Sequence, residues 1–99
     1  MAVYWTTFRI HSDATYQHRY EKLVEAIRSI SVKWWVDPTS FLLFESAQSI
    51  DGVASAIKKA INSNTDMALI GMPDFKDARA VGHTHDQDLF ALMPFAKKV

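Results

Sequence analysis

The order in which the hydrophobic period changes along these 99 residues constrains the fold more than any other feature. Residues 2 to 10 are aromatic and β-branched, and a period of two puts Tyr4, Thr6, Phe8 and Ile10 on one face and Trp5 and Arg9 on the other. After Ser12 and Asp13, both good N-caps, Tyr16, Tyr20, Leu23, Val24, Ile27 and Ile30 recur at helical spacing, with Arg19, Lys22, Glu25 and Arg28 expected on the solvent face. Val32 to Val36 then reads as a strand containing Trp34 and Trp35. Asp37-Pro38-Thr39-Ser40 reads as a turn, and Phe41 to Glu45 as the returning hairpin partner. Ser49 caps a second helix whose stripe is Ile50, Val53, Ala54, Ile57 and Ile61, with Asp51 in its first turn and Lys58 and Lys59 near its end. Asn62 to Asp66 breaks that helix, and Met67 to Met72 is a continuous apolar run, the pattern of a central strand.

This order is β-α-β-β-α-β, the ferredoxin-like split βαβ plan of the α+β class, in which two helices cover one face of a four-stranded antiparallel sheet. The chain is expected to be a single domain with its core at about residues 2–72. A polar loop and an apolar C-terminal arm, with Leu89, Phe90, Leu92, Met93 and Phe95, occupy 73–99. Helices on one face would leave the other to water, which predicts alternation. Trp34-Trp35, Phe41 to Phe44 and Met67 to Ile70 are instead apolar on both sides. A tail folded across the face of a monomer would hardly cover four strands, so a homodimer packing sheet on sheet, with the arm adding to the contact, fits that excess better.

Eleven basic and eleven acidic residues cancel, so the chain lacks the global positive field of a general nucleic-acid binder, and Lys97-Lys98 is too short for a basic tail. With no cysteine, neither disulfides nor thiolate metal sites contribute. No basic-then-apolar leader precedes Tyr4 and no window approaches a membrane span, so the expectation is a soluble, cytoplasmic protein without membrane partners.

Two clusters carry chemistry. His83-Thr84-His85-Asp86 is the densest set of ligand types, and His83, His85 and Asp86 suit zinc, manganese or iron; the alternative is a solvated loop. Arg9, His11, Ser12 and Asp13 sit where the first strand enters the first helix, a place suited to an anion such as a phosphate or carboxylate. More often an arginine on a strand in a dimer pairs with a carboxylate across the interface. Trp5, Trp34, Trp35 and Phe41 could stack on bases or a ligand, although strand aromatics more commonly pack a core or an interface.

Trp34-Trp35 followed by Pro38-Thr39-Ser40-Phe41-Leu42-Leu43-Phe44-Glu45-Ser46, then Ser49-Ile50-Asp51 and Ala56 to Ile61, resembles the SinR-like family. Its members are small relatives of the CRISPR-associated protein Cas-two and of VapD-type toxins. The resemblance spans about residues 3–72 and implies a ferredoxin-like homodimer in a defence or toxin-antitoxin setting. The related nucleases carry an aspartate within an aromatic-Asp-aliphatic triplet at the end of the first strand. The matching triplet here is Phe8-Arg9-Ile10. A guanidinium neither ligates a divalent metal nor acts as a base at neutral pH, so the resemblance implies a binding or regulatory protein rather than the nuclease itself. No cofactor beyond a divalent metal is expected, and nucleic acid or another protein stays open as a partner. Two other readings stand beside it: a metal-dependent nuclease with a site rebuilt from His11, Asp13, His83, His85 or Asp86, and a dimeric α+β barrel, a small-molecule binder or oxygenase, with a cavity between sheet and helices lined by Trp and His.

Overall fold

A computed structural model of the chain describes residues 1–84 and 87–99, so His85 and Asp86 of the expected metal cluster lie outside the described residues. The chain forms a compact α+β domain with six strands and three helices among the described residues. In chain order these are β1 (Ala2–Arg9), α1 (Tyr16–Ile30), β2 (Ser31–Trp35), β3 (Phe41–Ser46), α2 (Ile50–Ala60), β4 (Met67–Met72), β5 (Phe75–Gly82), α3 (Asp88–Leu92) and β6 (Ala96–Lys98). The sheet runs β2-β3-β1-β4-β5-β6. All neighbours are antiparallel except β5 and β6, which are parallel. The sheet is therefore larger than the expected four strands, and it is mixed.

Periodicity explains the first two-thirds of this arrangement. Tyr4, Thr6 and Phe8 of β1 and Leu42 and Phe44 of β3 are buried beneath α1 and α2, as period two requires. Ala68 and Ile70 of β4 join the same layer. Leu23 and Ile27 of α1 and Val53, Ala54 and Ile57 of α2 close the core from above. Ser49 caps α2 as expected, its Oγ accepting from the Gly52 N–H at 3.1 Å. β2 begins and ends one residue earlier than the Val32 to Val36 reading.

Three expectations need correction. First, α1 starts at Tyr16 behind Thr15, which makes no side-chain cap, and neither Ser12 nor Asp13 caps it. The Asp13 carboxylate instead accepts from the Thr15 N–H at 2.9 Å, a local Asx turn that competes with capping. Second, Arg19 is on the buried side of α1 with Leu23 and Ile27, not on the solvent face. Third, the stretch read as a polar loop contains β5. Its inner residues Ala78, Arg79, Ala80 and Val81 are all buried, and alanine is a poor strand signal because its β-propensity is low. Arg79 is tolerated there because it pairs with Asp51 at 2.7 Å and Asp77 at 2.5 Å.

The C-terminal segment returns to the sheet. β1-α1-β2 and β3-α2-β4 join parallel strands by crossovers that share one face. β5 runs parallel to β1, but its crossover proceeds toward the opposite edge of the sheet, so right-handed connection places α3 on the other face. Ala78 and Ala80, which point to that face, are fully buried. Leu89, Phe90, Met93 and Phe95 are half-buried, whereas Leu92, expected to pack, is 81% exposed.

Candidate functional site

The site begins with one carboxylate. Asp66, just ahead of β4, has no exposed side-chain surface, and its two oxygens collect donors from separate parts of the chain. Oδ1 accepts from the His11 N–H at 2.8 Å, and Oδ2 accepts from the Asn62 N–H at 2.8 Å and Arg19 Nε at 2.9 Å. The Asp66 carbonyl accepts from the His83 N–H at 2.7 Å. One residue thus joins the ends of β1, α2 and β5. Gly82 permits the last contact: its φ is +87°, and a Cβ there would come within 2.3 Å of the Asp66 carbonyl oxygen.

Arg19 extends the network. Its guanidinium donates to the His11 carbonyl at 3.0 Å, to Asp13 Oδ1 at 3.0 Å and to the Thr15 hydroxyl. Among the described residues no buried side-chain nitrogen or oxygen lacks a partner. A buried charge is costly unless it is paired and hydrogen-bonded, and both conditions hold here.

Burial by itself pushes the Asp66 carboxyl up, but Arg19 and the His11 and Asn62 N–H groups outweigh it and hold the carboxyl below its ordinary value. Hydrogen bonds from Arg19, and then from the Thr15 N–H, lower Asp13 to about 2. The Asp13 and Asp66 partners raise Arg19. Groups depressed in the folded state contribute stability above their unfolded pKa and lose it as the pH falls through the folded value. The fold should accordingly be unaffected at neutral pH and lose stability from about pH 4 downward to about pH 2. Circular dichroism in an acid titration checks this, with Asp13→Asn expected to flatten the lower part of the curve.

The braced loops enclose a polar groove of about 500 Å³ lined by Arg9, Ile10, His11, Ser12, Asn64, Thr65 and His83. The fold therefore brings Arg9, His11 and Ser12 of one cluster together with His83 of the other. Arg9, His11 and Ser12 are exposed there, and His83 is half-buried. Asp13 is exposed but committed to Arg19 and Thr15, so it does not join the groove. Among the described residues no three His, Asp or Glu side chains are grouped to hold a metal ion. Arg9 and Ile10 also line a second cavity of about 420 Å³ with Phe8, Tyr16, Gln17, Tyr20, Thr39 and Ser40.

Arg19 and Asp66 are the residues that sequence reasoning missed. Arg19, Leu23 and Ile27 share an i, i+4, i+8 row, which would have placed the arginine inside; nothing local marks Asp66 as its partner 47 residues away. Among the described residues Trp34 and Trp35 border a different space from His11 and His83. That cavity, of about 440 Å³, is also lined by Val3, Lys33, Leu43, Phe44 and Glu45. Among the described residues no helix is long and apolar enough to cross a membrane.

No protein-family model matches the chain, and no curated protein or solved structure matches it.

Proposed function

We propose that this chain is a homodimeric binding protein with a ferredoxin-like core of the SinR-like, Cas-two-related type, extended by β5, α3 and β6 and acting in a defence or toxin-antitoxin setting without a nuclease carboxylate. The observation that carries the dimer is an aromatic row on the sheet face away from α1 and α2. The rings of Trp5 and Phe41 stack at 6.5 Å, and Trp35 meets Phe41 edge-on at 6.3 Å, so three adjacent strands contribute to one apolar strip. Trp35 is 47% exposed, and Phe41, Leu43 and Leu69 beside the row are half-buried. The Trp5 ring lies against Gly71, where any Cβ would come within 2.3 Å of it, so the row continues onto β4 without a gap.

α3 serves the β5 end of this face, which leaves the β2-β3-β1 end for a second copy. Lys33 and Glu45 face each other across β2 and β3 on the same side, and opposite charges at the rim suit a twofold, self-complementary contact. The pairing of strands β2, β3, β1 and β4 supports the ferredoxin-like reading of the core. The binding assignment rests on Arg9, which stands where the resemblance would place the nuclease aspartate and which cannot ligate a metal.

Sedimentation tests the dimer. The expected species has twice the 11.2 kDa chain mass at micromolar concentration, and Trp35→Glu should weaken association at least about tenfold while leaving the fold intact. A chain that sediments at 11.2 kDa would overturn the dimer. Manganese-dependent cleavage of RNA or DNA, lost in His11→Ala and His83→Ala, would overturn the non-nuclease reading in favour of the rebuilt site, since those two histidines share the polar groove.

A further inference from the structure

The end of β1 carries two adjoining cavities of opposite character that share Arg9 and Ile10. On one side the space is aromatic. Phe8 and Tyr20 meet at 5.9 Å, and Tyr16 stacks on Tyr20 at 6.2 Å. Tyr20 is fixed by its hydroxyl, which donates to the Thr39 carbonyl at 2.8 Å, while Tyr16 is 37% exposed. This lobe therefore offers an aromatic surface on a rigid support.

On the other side the groove is polar, and among the described residues no carboxylate lines it. Ser12, Asn64 and Thr65 supply hydroxyl and amide groups, and His11 and His83 supply imidazoles. Among the described residues the neighbouring acids Asp66 and Asp13 are both bonded to Arg19, which offsets one of their two negative charges and directs both carboxylates to itself. Arg9 is exposed at the junction, and among the described residues its guanidinium has no ion-pair partner. A planar cation flanked by hydrogen-bond donors suits a phosphate, and stacked tyrosines suit a flat heteroaromatic ring.

We infer that these two lobes form one site for a nucleoside monophosphate, with the phosphate held by Arg9 in the polar groove and the base stacked on Tyr16. Both volumes, about 420 and 500 Å³, fall within the usual span of small-ligand pockets. The juxtaposition selects for a ligand that carries an anion and an aromatic ring on one short frame. This inference goes beyond the dimer reading and does not depend on it, because every lining residue named comes from one chain.

Titration of the full chain by calorimetry and by amide chemical shifts tests it, with AMP, adenosine, inorganic phosphate and a hexanucleotide lacking terminal phosphates as probes. AMP should bind at least about tenfold more tightly than either adenosine or phosphate, since stacking and a charge-assisted phosphate contact each supply about a factor of ten or more. Arg9→Ala should abolish the advantage of AMP over adenosine. Tyr16→Phe should retain, and Tyr16→Ala should lose, the advantage of AMP over phosphate. Trp35→Glu should bind AMP like the parent, which separates failure of this site from failure of the dimer. Equal affinity for AMP and adenosine, AMP binding unchanged by Arg9→Ala, or phosphate alone binding as well as AMP would overturn the assignment. Tighter, Arg9-dependent binding of the hexanucleotide would overturn it in favour of an internal phosphodiester on a strand.

Discussion

Asp66→Ala should destabilise the protein by about 3–5 kcal/mol, the cost of breaking a buried pair, with Asp13 the carboxylate that Arg19 keeps. The substitution removes both oxygens that Arg19 engages and orphans the His11 and Asn62 N–H groups in the same step. For a chain of this size, each kcal/mol shifts the melting temperature by about 4–8 °C, so the loss should be on the order of 20 °C. Asp66→Asn should cost less, because an amide oxygen can still accept from one N–H while Arg19 keeps the Asp13 carboxylate. A denaturant melt that places Asp66→Ala within about 1 kcal/mol of the parent would show that water enters and replaces the carboxylate. The double change Arg19→Met with Asp66→Leu should recover part of the stability lost in the single variant, since a buried pair replaced as a unit is less damaging than a pair broken. The expected signature is non-additivity: the two residues touch, so their effects should not sum.

Deletion of residues 89–99 is the second large effect. It removes β6, which pairs with β5 through Ala78 and Ala96, Arg79 and Lys97, and Ala80 and Lys98. It also removes the bonds from Lys98 Nζ to the Gly82 carbonyl, at 2.8 Å, and from the Val99 N–H to the Ala80 carbonyl, at 2.8 Å. Four half-buried large apolar side chains leave with it. Full burial of such a side chain is worth about 1.5–3 kcal/mol, so a half-buried set of four should cost about 3–5 kcal/mol in total. The truncated chain should melt well below the parent and aggregate more readily, because a long β5 edge would be left open for pairing. An unchanged melting temperature and oligomeric state would mean that the last segment contributes no stability and that β5 holds its place without it.

Two different kinds of information decided where the groove lies. Arg9, His11 and Ser12 were legible as candidates because a strand end followed by polar residues and a helix is a local pattern. His83 was legible as a ligand type. Their meeting was not legible, since it depends on Asp66 drawing three loop ends together over separations that no local period encodes. Arg19 shows the same limit from the other side. On α1 it looks like one of several surface cations, and only the carboxylate arriving ahead of β4 makes its burial favourable.

β1, α1, β2, β3, α2 and β4 follow from the sequence by itself, because side-chain periods of two and 3.6 and one Ser49 cap act over a few residues. The apolar excess on both sides of β3 and β4 was equally visible, and with it the need to cover a second face. The tertiary structure decided the rest. Small alanines carry too little apolar surface to announce a strand, so β5 forms because β4 offers it a ladder and the buried layers on either side accept its residues. The parallel return of β6 then places α3 on the opposite face by handedness, a property of the whole connection and not of any segment within it.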